Sequence, residues 1–348
     1  MKRICIVGSG AAGLLLLYNL EKANVDPQSI TVIDPTHTGG DLSKKWSCVR
    51  SNTTWRQIFE AVPSRTSFAS PWSQLNPEEP VELQYVIEYL REVTRDYLSK
   101  TILRTARVVS AVQDGEVWKL SLSTGKQELV FDRVFFCQGS EPKILDLPFP
   151  SIPLEIAFDP RRLETLVKPG AHILVFGTAH SGPIVVKNLV DRGAKVTNFY
   201  ATDAPFLFER DGHYDGIKKD AAGIAQDILS GVYPTVSLES VHDLSAVLRA
   251  SKTADACVYA CGFEPRCISP QVSAYDGRSG RIQGSTTAWG FGIAYPNRAP
   301  DGVHWDVPED SKSSGQSPKN PKGFWDVSVP AFQAHIQAQM PEILASLQ

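Results

Sequence analysis

The chain of 348 residues lacks the long apolar runs, the charge excess and the dense cysteines that mark several large classes of protein. No stretch of about 18 uninterrupted apolar residues occurs, so we expect no transmembrane helix. The formal net charge of -3 gives no electrostatic reason to expect nucleic acid or a membrane surface as a partner. With 42% hydrophobic residues, the composition is typical of a globular protein with room for about two domains.

The six cysteines do not form a dense disulfide framework, so we expect reduced thiols and a cytoplasmic location. Cys257 and Cys261 fall on one predicted strand, roughly 13 Å apart, whereas a disulfide spans at most roughly 7 Å. A disulfide reductase centre is therefore not expected. The histidines show no metal-ligand spacing, so we expect no metal site; those considered are His37, His180, His213, His242, His304 and His335.

A glycine motif near the start, Gly8-Ser9-Gly10-Ala11-Ala12-Gly13, has the spacing of a dinucleotide-binding turn. Residues 3–7 predict a buried strand before it, and residues 14–22 predict a helix after it. The glycines would let the backbone approach a pyrophosphate, and the helix N-terminus would attract its charge. A second strand ends at Asp34, whose carboxylate can accept hydrogen bonds from a ribose diol. These parts together predict a dinucleotide site.

The same residues could be taken for a secretory signal, because Met1-Lys2-Arg3 leads into an apolar segment. The glycine motif interrupts that segment, no small-residue cleavage site follows, and the strand that ends at Asp34 continues the fold at once. We therefore favour the dinucleotide interpretation.

A second glycine motif, Gly177-Thr178-Ala179-His180-Ser181-Gly182, restarts the pattern in the middle of the chain. A strand at residues 172–176 is predicted before it and a helix at residues 181–192 after it. Ala179 stands where the middle glycine is expected. The next predicted strand, residues 195–200, ends with neither an arginine that could meet a 2′-phosphate nor a carboxylate that could meet a ribose diol, so this strand end does not show which dinucleotide would bind.

The remaining pattern predicts alternating elements and three irregular segments. Helices are predicted at residues 81–98, 217–229, 243–250 and from Val329-Pro330 to 347. Strands are predicted at residues 107–113 and 116–123, joined by Asp114-Gly115, and at 129–137, 235–238 and 255–261. Loops are predicted at residues 46–55, 63–80 and 206–216, and a flexible stretch at 308–323.

Two predicted strand ends, Cys137-Gln138-Gly139 and Tyr259-Ala260-Cys261-Gly262-Phe263-Glu264-Pro265, resemble those that close the two domains of flavoproteins with two dinucleotide-binding domains. Within that family the chain is most similar to the flavin-containing and N-hydroxylating monooxygenases, over nearly its whole length. The resemblance implies an α/β fold with two Rossmann-like domains. Residues 1–150 and 264–348 would form the FAD domain, and residues 151–263 an inserted NAD(P)H domain.

A third match, Gly39-Gly40, then Trp46, then Val49-Arg50-Ser51-Asn52-Thr53, resembles the segment that runs under the flavin ring in these monooxygenases. The resemblance implies that Asn52 is catalytic, as a neutral amide beside the flavin atom that carries oxygen. The alternative is an asparagine that stabilises a turn. Arg50 is either a contact of cofactor or substrate or a solvated loop charge.

The resemblance also implies two sets of cofactor-binding residues. The chain departs from the family in one linker. Residues 149–158 lack the glycine and histidine of the linker signature of flavin monooxygenases. The helix that starts near Val329 would direct its positive end toward the flavin ring. The residues for FAD would be Gly8, Ser9, Gly10, Ala11, Ala12, Gly13, Asp34, Gly40, Trp46, Asn52, Val109, Gly139, Gly290 and Gly292, and those for NADPH or NADH would be Gly177, Thr178, His180, Ser181 and Gly182.

The activity that the resemblance implies is that of an FAD-dependent NAD(P)H oxidoreductase. It would form a flavin peroxide and oxygenate a small substrate at nitrogen, sulfur or a carbonyl group. Two alternatives stay open. One is an NAD(P)H oxidase or electron-transfer reductase that inserts no oxygen, and the other is a flavin-binding sensor without turnover. The expected partner is a small-molecule substrate.

Overall fold

A computed structural model describes residues 1–64, 72–125, 128–147, 149–206, 216–269, 272, 274–297 and 327–348. Parts of the predicted loops at 63–80 and 206–216 lie outside the described residues. So do His213, His304 and the whole predicted flexible stretch at 308–323.

Strands and helices alternate along most of the described chain. The strands are β1 Ile4–Val7, β2 Ile30–Asp34, β3 Arg50–Thr54, β4 Pro80–Glu82, β5 Ile102–Thr105, β6 Val108–Asp114, β7 Val117–Leu122, β8 Glu128–Phe131, β9 Arg133–Phe136, β10 Ser140–Pro142, β11 His172–Phe176, β12 Lys195–Tyr200, β13 Val236–Ser240, β14 Ala256–Tyr259, β15 Phe263–Pro265 and β16 Ala288–Gly290. The helices are α1 Ala11–Lys22, α2 Asp41–Lys44, α3 Trp55–Ala61, α4 Leu83–Leu98, α5 Leu154–Ala157, α6 Pro160–Leu163, α7 Ser181–Asp191, α8 Gly216–Leu229, α9 Leu244–Ser251 and α10 Val329–Leu347.

The chain divides into two compact units, of which the first comprises Met1–Ser47, Thr53–Ser140 and Pro265–Gln348. Its centre is a parallel sheet with the strand order β16-β9-β1-β2-β5. Ile4 and Ile6 of β1 lie in one apolar cluster with the leucines of α1. Cys5 and Val7 point to the other face and lie in a cluster with Trp118 of β7. The strand is buried on both faces, which is why it reads as an uninterrupted apolar run.

The second unit comprises Cys48–Asn52 and Glu141–Glu264. Its parallel sheet has the order β13-β12-β11-β14. Leu174 and Phe176 of β11 form an apolar cluster with Phe199 of β12 and Tyr259 of β14. Each unit thus contains, in this order, a strand, a glycine turn, a helix and a parallel strand. The predicted α/β fold class with two such sheets is confirmed.

The single strand predicted at residues 129–137 is wrong, because the structure divides it into β8 and β9. β8 belongs to an antiparallel sheet of order β6-β7-β8, whereas β9 belongs to the parallel sheet of the first unit. The break falls at Asp132, whose carboxylate accepts a hydrogen bond from the backbone N–H of Arg3 at 2.7 Å. A polar interaction with a residue 129 positions away cannot be seen in a local apolar pattern.

The loop predicted at residues 46–55 is also wrong, since it contains β3 and the first residue of α3. The five residues of β3 are Arg, Ser, Asn, Thr and Thr, so they lack the apolar alternation on which strand prediction depends. Helix α3 begins with a capping box between Thr54 and Gln57.

The compact units change over after Ser140 and after Glu264, and residues 48–52 group with the second unit. The division predicted from the sequence fell at residues 150 and 263. No helix among the described residues has the length and apolarity needed to cross a membrane.

Candidate dinucleotide sites

The first glycine turn is closed by the backbone of a neighbouring strand end. Gly8 has a φ of +101°, and a Cβ on it would lie 2.4 Å from the carbonyl oxygen of Cys137, directly after β9. A Cβ on Gly13 would lie 2.0 Å from the carbonyl oxygen of Gly8. Backbone atoms cannot move aside as a flexible side chain can. Both positions therefore require glycine whether or not a ligand is present.

Gly10 differs, because packing within the chain does not explain it. A Cβ there would meet no other residue closer than 3.9 Å, the distance to the carbonyl oxygen of Gly39. Gly10 is also the N-cap of α1, which has neither a side-chain cap nor an acidic residue in its first turn. The first N–H groups of a helix have no partner inside it, so this end suits an anion. The open position and the uncapped helix fit the pyrophosphate of FAD.

Asp34 lies at the end of β2 with its side chain buried against the turn. It accepts hydrogen bonds from the backbone N–H of Ser9 at 2.9 Å and from those of Thr36 and His37 at 2.8 Å each. Burial opposes ionisation, but these three donors outweigh it and hold the pKa of the Asp34 carboxyl below its ordinary value. The carboxylate therefore organises the turn.

The Gly39-Gly40 segment lies directly against the first turn. A Cβ on Gly40, which has a φ of +70°, would lie 3.1 Å from the Cα of Gly10. The backbone N–H of Trp46 donates to the carbonyl oxygen of Asp41 at 3.0 Å, and the indole is buried. Gly10, Gly40 and Trp46 thus belong to one connected part of the first unit.

Other residues expected at the FAD site have varied surroundings. Gly292 lies against the first turn, since a Cβ there would be 2.6 Å from the Cβ of Ala12. Gly290 is required for packing, because a Cβ would lie 2.3 Å from the ring of Tyr295. Val109 is 46% exposed on β6. The N-terminus of α10 is capped, with the Ser328 hydroxyl accepting from the backbone N–H of Ala331 at 3.2 Å.

Arg266 was not anticipated from the sequence. Its guanidinium pairs with the carboxylate of Asp41 and also donates to the carbonyl oxygen of Gln138 at 3.0 Å. A Cβ on Gly139 would lie 3.3 Å from Nη1 of Arg266. A local sequence motif cannot predict an ion pair between residues that are 225 positions apart.

The second turn repeats the backbone construction of the first. Gly177 has a φ of +114°, and a Cβ there would lie 2.3 Å from the carbonyl oxygen of Ala260, directly after β14. A Cβ on Gly182 would lie 2.3 Å from the carbonyl oxygen of Gly177. Thr178 is buried, whereas Ala179 is exposed at the position equivalent to Gly10. His180 is the N-cap of α7 and supplies no side-chain cap, so this helix end also suits an anion.

Backbone hydrogen bonds fix the correspondence between the two strand ends. Gly8 N–H donates to Ile33 at 2.8 Å, and Gly177 N–H donates to Phe199 at 2.9 Å. Tyr200 therefore takes the position of Asp34 in the second unit. The fully buried amide of Asn198, also not anticipated, donates to the carbonyl oxygens of Val175 and Gly177 at 3.0 Å each.

Asn52 and Arg50 lie on β3 and group with the second unit, whereas Gly40 and Trp46 group with the first. Nη1 of Arg50 contacts both carboxylate oxygens of Asp220 on α8, at 3.0 Å and 2.9 Å. The guanidinium therefore has a protein partner. The structure does not unite the two halves of the predicted flavin segment in one unit.

All six cysteines are described, and all are free thiols. Burial raises the pKa of Cys257 and Cys261, so both thiols favour the protonated form, which is the unreactive one. Among the described residues no group of histidine, cysteine and acidic side chains could hold a metal ion.

Comparisons with known proteins agree with this geometry. Residues 5–141 match the FAD-NAD(P)-binding family. Monooxygenase AgnR1 of Paecilomyces divaricatus is 25% identical over 214 residues, which are 53% of this chain and 54% of that protein. The chain therefore spans about half the length of this curated relative.

Solved structures resemble the whole chain at low identity. A bacillithiol disulfide reductase from Bacillus cereus has a TM-score of 0.62 at 14% identity, covering 99% of both chains. A flavin-containing monooxygenase from Stenotrophomonas maltophilia has a TM-score of 0.60 at 13% identity, covering 100% of this chain and 99% of that one. A thioredoxin reductase from Lactococcus lactis has a TM-score of 0.55 at 11% identity, covering 99% of this chain and 100% of that one.

These likenesses show the fold. The family match places a domain of the FAD-NAD(P)-binding type at residues 5–141. The predicted resemblance to FAD/NAD(P)-binding flavoproteins and the predicted cofactors, FAD and NADPH or NADH, are confirmed by this domain.

Proposed function

We propose that this FAD/NAD(P)-binding oxidoreductase is a monooxygenase that inserts one oxygen atom into a small substrate at nitrogen, sulfur or a carbonyl group. The observation that carries the proposal is the contact of Gly40 with Gly10, because it joins the flavin-ring segment of the resemblance to the turn that fits the FAD pyrophosphate. The likeness to a monooxygenase over about half of the chain supports the same choice.

The first unit supplies the FAD site in this proposal. The uncapped N-terminus of α1 binds the pyrophosphate, and Asp34 orients the turn while accepting from the ribose. Gly40 and Trp46 line the ring, with Gly292 behind the first helical turn. When bound, FAD supplies the redox chemistry between NAD(P)H and oxygen.

The second unit supplies the nicotinamide site. The turn from Gly177 to Gly182 and the uncapped start of α7 bind the phosphates of NADPH or NADH. Asn52 supplies a neutral amide, which can hydrogen-bond at the reacting centre without donating a proton as a strong acid would.

The test measures how the electrons of NAD(P)H are divided between oxygenated product and hydrogen peroxide. Purified protein is checked for flavin, reduced with NADH or NADPH without oxygen, and then given oxygen with small amines, sulfides and ketones. We expect an active substrate to lower the hydrogen peroxide formed per NAD(P)H oxidised, with oxygenated product appearing in equal amount. Stoichiometric peroxide with every substrate would instead indicate an NAD(P)H oxidase, and no reduction by either nucleotide would indicate a sensor.

Asn52→Ala tests the assigned amide. We expect more hydrogen peroxide per NAD(P)H oxidised and less product, with unchanged FAD content. Asn76→Ala, which removes an exposed asparagine of the first unit, is the matched control and should leave this ratio unchanged. If Asn52→Ala and the wild type give the same ratio, Asn52 has no catalytic role.

A further inference from the structure

The ion pair of Asp41 and Arg266 joins two distant segments of the first unit. Asp41 is the first residue of α2, directly after Gly40, and Arg266 follows β15. The side chains are only 26% and 22% exposed. The pair therefore lies partly shielded from water at the end of the segment that contacts the first turn.

Arg266 also holds the end of β9. Its Nη1 donates to the carbonyl oxygen of Gln138 at 3.0 Å, and its backbone N–H donates to that of Gly139 at 3.1 Å. The two arms of the guanidinium thus bind a carboxylate and a carbonyl group in different directions. A lysine has one point charge and cannot reproduce this fork.

Asp41 is also hydrogen-bonded to later residues of its own segment. Its carbonyl oxygen accepts from the backbone N–H of Lys45 at 2.8 Å and from that of Trp46 at 3.0 Å. Gly40, the preceding residue, lies against Gly10. The position of residues 40–46 relative to the first turn therefore depends on where Asp41 is held.

These contacts lie at the edge of the sheet where ligands bind. Gly8 follows β1, Asp34 ends β2 and Gln138 follows β9, so the carboxyl ends of three parallel strands meet there. In open α/β sheets, ligands bind at that edge.

We propose that Arg266 is a positioning residue for FAD. By holding Asp41 against the end of β9, it fixes residues 40–46 in the arrangement that receives the flavin ring. The inference rests on the proposed function, which assigns that segment to the ring. A partly exposed ion pair contributes little to stability by itself, so removing it should disturb the cofactor more than the fold.

The test compares two arginine–aspartate pairs at opposite edges of the same sheet. Arg3 and Asp132 form an ion pair of 3.1 Å at the amino ends of β1 and β9. Arg266→Met should weaken FAD binding to the apoprotein about tenfold and alter the visible circular dichroism of the bound flavin. Arg3→Met should change neither. Arg266→Lys should restore part of the affinity, because it keeps the charge but reaches one partner.

Asp41→Asn should weaken FAD binding too, and the double variant with Arg266→Met should lose less than the product of the two single losses. Wild-type affinity and an unchanged flavin spectrum in Arg266→Met would overturn the inference alone. So would an equal loss in Arg3→Met. Failure of the wild-type protein to take up FAD would overturn the proposed function as well.

Discussion

The two glycine turns have the same backbone but different openings. In each, the first and last glycines are required by carbonyl oxygens of the chain itself, with a Cβ excluded at 2.0 to 2.4 Å. The middle position differs, being the open Gly10 in the first turn and the exposed methyl group of Ala179 in the second. Of the three motif positions, the middle one alone is not closed by the chain itself. A substitution there therefore tests ligand binding rather than packing.

The ends of β2 and β12, whose backbones bind the two turns, also differ. The first turn is held by the carboxylate of Asp34, which comes from outside the turn and accepts from Ser9. The second has Tyr200 at that position and is held from beneath by the amide of Asn198. A carboxylate can also serve a ribose, whereas a buried amide whose two N–H bonds bind backbone carbonyls acts on the turn alone. We therefore expect the first site to bind its dinucleotide more tightly than the second.

The largest effect is expected from Gly8→Ala, which places a methyl group on the carbonyl oxygen of Cys137. Strain at positive φ costs about 1–3 kcal/mol, and the overlap adds to it, so the variant should lose stability and FAD together. Gly115→Ala is the control, since Gly115 has a φ of +62° with no atom within 4 Å of a Cβ. Urea unfolding and flavin content measure both variants. Full FAD retention in Gly8→Ala would show that the turn tolerates displacement.

The middle positions should give a reciprocal effect without loss of stability. Gly10→Ala should weaken FAD binding about tenfold, or ~1.4 kcal/mol, because the added methyl group fills the opening and meets no other residue within 3.9 Å. Ala179→Gly should lower the KM for NAD(P)H severalfold and leave FAD binding unchanged. The comparison fails if Gly10→Ala binds FAD normally while its unfolding is unchanged.

A smaller effect is expected when Asn198 is replaced by the residue found at the equivalent position of β2, which is Val32. Asn198→Val leaves the carbonyl oxygens of Val175 and Gly177 without these donors, at a cost of about 1 kcal/mol. The KM for NAD(P)H should rise and FAD content should stay constant. Val32→Ala, a core truncation in the first unit, is the control and should leave the KM for NAD(P)H unchanged.

The smallest effect is expected in acid. The pKa of Asp34 is lowered from its ordinary value of 3.8, so its contribution to stability is complete above that value and is lost as the pH falls through the folded-state pKa. Asp34→Asn should therefore flatten the acid limb of the curve of unfolding free energy against pH. Tyr200→Phe should leave that limb unchanged. Parallel acid limbs in wild type and Asp34→Asn would contradict the role given to this carboxylate.

The sequence predicts well wherever local chemistry sets the structure. Strands β11 and β12 have their predicted bounds, and in β11 the apolar run at residues 173–176 is typical of a buried parallel strand. The hairpin at Asp114-Gly115 forms as predicted, with Gly115 at a φ of +62°. Both glycine turns could be located from their spacing, because the last glycine of each turn lies against the carbonyl oxygen of the first, five residues earlier.

The sequence predicts poorly where distant residues decide. Strand β3 contains only polar residues, so its sequence lacks an apolar pattern. Residues 48–52 belong to the second unit because of contacts with residues far along the chain. The roles of Arg266 and Asn198 arise from hydrogen bonds to residues that the fold brings close, which no spacing rule anticipates. The catalytic role of Asn52 stays a prediction, because it too depends on which residues the fold brings close.

The most direct test of two cooperating dinucleotide sites is an anaerobic titration of the Ala179→Glu variant with NADPH and NADH, because Ala179 is the exposed middle position of the second turn and a carboxylate there would repel phosphates. Ser230→Glu, at an exposed position directly after α8 in the same unit, is the matched control. We predict that Ala179→Glu retains FAD and is bleached by dithionite but not by either nucleotide, while Ser230→Glu and wild type are bleached by one equivalent. Reduction of Ala179→Glu at the wild-type rate, or loss of its FAD, would contradict the account.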